Sequence, residues 1–134
     1  PMIWVAPGIT KPGTKCSQPV DTMSIYPTLC SLTGIEKPGH VSGHDISALL
    51  RNPKSKWQHP AITTHGRGNH SVRTTTERYI RYADGSEEYY DHAKDPYEWK
   101  NLAATSDLSR FKKWLPKKEI ASQVLKKNSK KPKK

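Results

Sequence analysis

The chain has 134 residues, of which 33% are hydrophobic and 26% charged, and it contains eleven prolines and eight glycines. This length supports one small domain built from short elements, and no apolar run approaches the roughly 18 residues of a membrane span. The formal net charge is +11, but residues 110–134 hold eleven Lys or Arg against one acid, whereas residues 1–109 hold twelve basic and eleven acidic residues. The excess charge therefore belongs to the end of the chain and does not predict a basic face on the folded part.

Residues 2–6 form a short apolar run that ends at Pro7-Gly8, which predicts a strand buried on both faces of a sheet. The run lacks the basic region and cleavage site of a signal peptide. Because chain termini are usually polar and loose, we expect a further segment of the protein to precede it. Residues 7–19 are rich in Pro and Gly and are predicted to form a loop.

A helical pattern begins after Asp21 and ends at Gly34, with Pro27 expected in its first turn. A second short helix is predicted at about residues 46–50. Aspartates precede the predicted helical segments, and we interpret them as N-caps. These are Asp21, Asp45 and Asp95.

From residue 61 the pattern changes to four short runs rich in β-branched and aromatic residues, which predict an antiparallel sheet. The runs are Ala61–His65, His70–Thr74, Arg78–Ala83 and Glu87–Tyr90. Asp84-Gly85 is a good hairpin signal between the last two. The tyrosines of these strands are explained by cross-strand packing.

The remainder is predicted to contain a helical turn at residues 95–98, a helix at 108–115, another from Pro116 to about residue 127, and a disordered segment at 128–134. Large aromatic side chains are mostly packing elements, so we interpret three tryptophans as core or seam residues rather than carbohydrate platforms. These are Trp57, Trp99 and Trp114.

Two passages of the chain resemble the sulfatase family in order and spacing. The first reads Pro1-Met-Ile-Trp-Val-Ala-Pro-Gly8, then Ile25-Tyr26-Pro27-Thr28-Leu29 and Ser42-Gly43-His44-Asp45. The second reads His70-Ser71-Val72-Arg73-Thr74, then Glu88-Tyr89-Tyr90-Asp91, Asp95-Pro96-Tyr97-Glu98 and Asn101-Leu102-Ala103. The run around Gly68-Asn69-His70 is most similar to the iduronate-2-sulfatase-like branch.

The resemblance implies an alkaline-phosphatase-like α/β fold, of which this chain, itself α+β, supplies the C-terminal part. We expect residues 1–58 to end the large sulfatase domain with a strand and a helix. Residues 59–115 would form a small four-stranded antiparallel sheet with a packed helix. Residues 116–134 would be a basic, largely disordered tail.

Sulfatases convert the first residue of a C/S-x-P/A-x-R motif to formylglycine, and neither Cys16 nor Cys30 lies in such a motif. These two cysteines also do not indicate a disulfide framework or a zinc site. The resemblance implies that formylglycine and calcium belong to the complete enzyme, and we expect the isolated chain to be inactive. Asp91-His92 imitates a calcium-ligand pair, but one carboxylate does not make a calcium site.

The candidate substrate-binding residues are His65, Arg67 and His70, which surround a glycine turn. Guanidinium and imidazole groups suit the carboxylate and sulfate groups of an anionic sugar. A solvated hairpin tip is the alternative interpretation of these residues. Arg73 is instead expected to pair with an acid in the sheet.

The resemblance predicts a hydrolase of sulfate esters, such as those of a glycosaminoglycan, with the missing N-terminal sulfatase region as its partner. Typical sulfatases are exported, which would place the parent protein in the periplasm or outside the cell. The alternative is a small basic protein that binds nucleic acid or another polyanion through its lysine-rich end.

Overall fold

The structure is a computed structural model that describes residues 1–116. A short 3-10 helix at Thr22–Ser24 leads into α1 (Ile25–Thr33), which is followed by α2 (Ser47–Arg51). Four strands come next, β1 (Ala61–Thr64), β2 (His70–Arg73), β3 (Glu77–Arg81) and β4 (Glu87–Asp91), and then a 3-10 helix at Ala103–Thr105 and α3 (Ser109–Lys112). Within residues 1–116, no helix is long and apolar enough to cross a membrane.

Helix α1 has the predicted proline and glycine positions. Pro27 is its third residue, where a missing N–H leaves no intrahelical bond unmade. Gly34 ends the helix in the left-handed conformation (φ 71°) and donates its N–H to the Cys30 carbonyl. Thr28 is fully buried, and its hydroxyl donates to the Ser24 carbonyl and accepts the N–H of Ile46. One side chain thus ties α1 to the start of α2.

The four strands form an antiparallel sheet in the order β1-β2-β3-β4, so each strand pairs with its neighbours in sequence. The fold class and the four predicted strands are confirmed, with ends that move by one or two residues. The paired positions include Thr64 with His70 across β1 and β2, and Tyr79 with Tyr89 across β3 and β4.

Helix α3 covers one face of this sheet. The core cluster consists of Val72, Tyr79, Leu108 and Phe111. The Phe111 ring lies 5.5 Å from that of Tyr79 and 5.4 Å from that of Tyr89, measured between centroids. Charged pairs from Arg110 to Glu77 and from Lys112 to Glu87 flank this contact. Burying one such aromatic side chain stabilises the fold by about 1.5–3 kcal/mol.

Several predictions for single elements are wrong. Residues 2–6 form no strand, because a strand needs a hydrogen-bonded neighbour and residues 1–116 offer them none. As a result Ile3 and Val5 are 87% and 86% exposed. The predicted helix at 108–115 shortens to the four residues of α3. The helical turn predicted at 95–98, in contrast, forms as a single turn in which the Glu98 N–H donates to the Asp95 carbonyl at 3.3 Å. The predictions for residues 117–134 lie outside the described residues.

The predicted caps and tryptophans have mixed outcomes. Asp45 accepts the N–H of Ser47 at the start of α2, but Ile46 and not Asp45 occupies the N-cap position. Asp21 makes no such bond to a helix, and Asp95 has no helix to cap. Trp114 packs against the core, as predicted, whereas Trp99 is 85% exposed and therefore not a core residue.

Candidate functional site

A cavity of about 1780 Å³ lies between the N-terminal segment, the loop after it, α2, the β1–β2 turn and Trp114. The loop that contains Lys11 and Lys15 and the segment before β1 both contribute to its wall. Elements distant in sequence therefore meet around one opening, which is the arrangement expected of a ligand site.

The charges that line this cavity have mostly one sign. Four fixed cations line it, namely Lys11, Lys15, Arg67 and Lys113. Among the described lining residues the only carboxylate is that of Asp21, which accepts hydrogen bonds from the Ser24 hydroxyl and the Ile62 N–H. A cavity with this lining attracts anionic groups.

The β1–β2 turn holds two of the three predicted substrate-binding residues at the cavity. Arg67 and His70 line it, whereas His65 is not among the described lining residues. Asn69 braces the turn, since its amide nitrogen donates to the His65 carbonyl at 3.0 Å and its amide oxygen accepts the Ala83 N–H at 3.1 Å. The turn is thereby tied to the β3–β4 hairpin and holds a defined shape.

His70 is buried, with 8% of its surface exposed. Its Nδ1 lies 2.9 Å from the hydroxyl of Thr64, the residue it faces across the β1–β2 pair. This contact fixes the orientation of the ring and engages Nδ1. The other ring nitrogen, Nε2, can then form a second hydrogen bond.

Two further histidines line the cavity, and the sequence analysis missed both. The rings of His44 and His59 stack with centroids 3.7 Å apart. Burial, and then the neighbouring His59, lower the pKa of His44 below its ordinary value, and Asp21 partly opposes this. The two residues lie 15 positions apart, so only the concentration of histidines between residues 44 and 70 could have suggested the pair.

A second polar network joins strands β2 and β3 to the segment after β4. We expected Arg73 to pair directly with a carboxylate, and within residues 1–116 it does not. Its guanidinium instead lies 2.9 Å from Nε2 of His92. The same Nε2 lies 2.6 Å from a carboxylate oxygen of Glu98, which also accepts from Arg78. Glu98 has a φ of 59°, which is unusual for a residue with a side chain, and this network holds it there.

The residues present do not fit the calcium and formylglycine that the sulfatase resemblance implies. Residues 1–116 contain no group of three or more His, Cys, Asp or Glu side chains placed to hold a metal ion. Asp91 pairs with Lys94, and His92 with Glu98. Cys30 is buried, and Cys16 donates its thiol to the Pro53 carbonyl.

Comparison with known proteins gives a consistent result. Residues 1–126 match the family model of the C-terminal region of N-sulphoglucosamine sulphohydrolase. The chain is 37% identical over 121 residues to a sulfatase of Formosa agariphila, covering 87% of this chain and 24% of that one. It is 34% identical over 126 residues to the Delta 4,5-hexuronate-2-O-sulfatase of Bacteroides thetaiotaomicron, covering 83% and 25%. The chain thus spans about a quarter of the length of these relatives.

A solved structure agrees with this result. A Bacteroides fragilis protein described as a sulfatase superposes with a TM-score of 0.51 and 27% identity. The match covers 60% of this chain and 20% of that protein.

Proposed function

The chain belongs to the sulfatase family and corresponds to the C-terminal region of its members, and from this premise we propose that it forms part of an enzyme that hydrolyses sulfate esters of a sulfated carbohydrate. The relative named as a hexuronate-2-O-sulfatase suggests a sulfated uronic acid, such as occurs in glycosaminoglycans, as the substrate. The observation in this chain that carries the proposal is the cavity with four fixed cations and one hydrogen-bonded carboxylate.

The lining charges favour a sulfated acidic sugar over a neutral one. Such a saccharide carries fixed negative charges, and the cavity supplies arginine and lysine donors for them. Asp21 opposes this attraction weakly, because both of its oxygens already accept protein hydrogen bonds. Binding should therefore weaken as salt screens the charges.

Arg67 and His70 are proposed to contact the substrate from the cavity wall, together with His65, which is exposed at the start of the same turn. Arg67 offers a planar fork of donors that suits a carboxylate or sulfate group. His70 is held in place by Thr64 and presents its other ring nitrogen as a hydrogen-bonding group. Because Asn69 braces the turn, these groups need little reorganisation to bind.

Binding of a 2-O-sulfated hexuronate disaccharide to the full chain, measured by calorimetry, tests this contact. Arg67→Ala should weaken binding at least about tenfold, the cost of one charge-assisted hydrogen-bonded contact. Arg51→Ala is the matched control, since it removes the same charge from an exposed position on α2 that does not line the cavity. Equal losses in both variants would reduce the contact to non-specific charge attraction.

We also propose that residues 1–58 complete the large domain of the enzyme, that residues 59–115 form the small sheet subdomain, and that residues 116–134 are a basic tail. Exposed apolar side chains outside the cavity support this division, because Val5, Tyr26 and Leu29 are each 46–86% exposed. Exposed apolar surface of this kind is typical of an interface with another domain. We propose that the N-terminal sulfatase region covers it and supplies both the calcium ligands and the formylglycine.

Sequencing the gene upstream of Pro1 tests the second part of the proposal. An in-frame Cys or Ser followed by x-Pro/Ala-x-Arg is expected there. An open reading frame that lacks this motif would remove the nucleophile, and with it the proposed hydrolase.

A further inference from the structure

The imidazole rings of His44 and His59 stack on each other at the cavity wall, and both residues are exposed to solvent. Their planes differ by 17°, with centroids 3.7 Å apart. Trp57 is nearly perpendicular to both rings, at 6.3 Å from His44 and 5.0 Å from His59. His44 lies just before α2, and His59 lies just before β1. The stacked pair therefore connects the segment that leads into α2 with the segment that leads into β1. Both rings line the cavity.

Charged and titratable groups of other elements share the cavity wall with this pair. Asp21 contributes the acid, and its charge raises the pKa of His44. The cationic and imidazole groups that share the lining are Lys11, Lys15, Arg67, His70 and Lys113. The wall that the pair shares is therefore more basic than acidic, and the charges that act directly on His44 are those of His59 and Asp21.

Stacked imidazoles resist double protonation, because two positive charges this close repel each other. Burial and the adjacent His59 already lower the pKa of His44. An anion in the cavity would offset both effects by placing negative charge beside the rings. Entry of an anion and uptake of a proton would then favour each other.

We propose that His44 and His59 form an anion-binding subsite that takes a second sulfate or carboxylate group of the saccharide and takes up one proton as it binds. This inference rests on the proposed function, since it places a further acidic group of the same ligand in the same cavity. Sulfate esters and uronates keep their charge between pH 5.5 and 7.5, so proton uptake in that range belongs to the protein.

The test follows the histidine side chains of the full chain by NMR while pH is varied. The probes are sodium sulfate, sodium chloride at equal ionic strength, and the 2-O-sulfated hexuronate disaccharide. Both sulfate and the disaccharide should raise the pKa of His44, and chloride should not. In His59→Gln, the pKa of His44 should rise without any ligand, because the neighbouring charge has gone.

Affinity for the disaccharide provides the second measurement. From pH 7.5 to 5.5 it should increase about tenfold more in the wild-type chain than in His44→Gln, as expected if the bound anion raises the pKa of the pair by about one unit. His40→Gln is the matched control, since His40 is exposed and does not line the cavity. Circular dichroism of each variant confirms that it is folded.

The remaining outcomes separate this inference from the proposed function. Disaccharide binding that depends on Arg67 but leaves His44 and His59 unchanged would overturn the subsite and preserve the proposed function. A response to sulfate without one to the disaccharide would also overturn it, since the pair would then bind only small inorganic anions. If the disaccharide does not bind at all, both proposals are wrong.

Discussion

Replacing Phe111 by alanine should remove most of the connection between α3 and the sheet. Phe111 is fully buried, and besides the rings of Tyr79 and Tyr89 it contacts Trp114 at 5.7 Å, while the Arg110 guanidinium lies 4.6 Å from its centre. Phe-to-Ala changes in such sites cost about 3–5 kcal/mol, from lost transfer energy and from the cavity left behind. A domain of this size has about 5–15 kcal/mol in total, so the loss is a large part of it.

Urea unfolding followed by circular dichroism and tryptophan fluorescence measures this change. With a denaturant slope of about 2 kcal/mol per molar, the midpoint should fall by about 2 M. Trp99→Ala is the matched control, because it deletes a larger aromatic group that is 85% exposed and should change stability by less than about 0.5 kcal/mol.

Two results would contradict this reasoning. One is a loss below about 1 kcal/mol in Phe111→Ala, which would mean that α3 does not pack as described. The other is a comparable loss in Trp99→Ala, which would mean that the exposed aromatic is buried in solution. Phe111→Leu should fall between wild type and alanine, because it retains most of the buried volume.

Three further predictions concern backbone and charge. Gly43→Ala should lower the free energy of unfolding by about 1–3 kcal/mol, because φ is 98° and a Cβ would collide with the backbone carbonyl of Met23. Gly39→Ala is the control and should be neutral in the same urea assay, since no atom lies within 4 Å of its Cβ. Equal effects of the two substitutions would contradict the collision. For Glu98, burial raises the pKa but hydrogen bonds from His92 and Arg78 lower it overall, below the ordinary 4.5. The ionised Glu98 side chain therefore stabilises the fold above pH 4.5, and this stabilisation is lost as pH falls through the folded-state pKa. Glu98→Gln should be less stable than wild type at pH 6 and equally stable in acid. A difference in stability that is independent of pH would refute this. Burial and a hydrogen bond to Glu88 raise the pKa of Tyr90 to about 12. The contribution of the neutral phenol to folding stability is therefore present below pH 10 and lost as pH rises through 12. In an ultraviolet titration, Tyr90→Phe should remove one phenol that ionises late.

The sheet was predictable from sequence because its information is local. Alternating side chains and the Asp84-Gly85 turn define the strands, and each strand pairs with the next one along the chain. Pro27 and Gly34 likewise mark α1 by their own backbone preferences.

The errors arise where the outcome depends on distant partners. The apolar run at 2–6 predicts a strand, but pairing is set by a neighbour and not by the run itself. Trp99 has the size of a core residue, yet the chain turns it outward beside Tyr97, with ring centroids 5.4 Å apart. The stacked His44 and His59 were missed for the same reason, since no spacing rule relates a turn before α2 to the segment before β1.

The order of the strands also has a consequence for how the chain folds. Each pairing in β1–β4 joins consecutive segments, so little loop-closure entropy is lost before the hydrogen bonds form. Links to the earlier part of the chain include single hydrogen bonds, from Ile62 to Asp21 and from Thr75 to Gln18. In native-state hydrogen exchange, we therefore expect the amides of β2 and β3 to be the slowest and to open together with α3, while those of α1 and α2 exchange through separate, less costly openings.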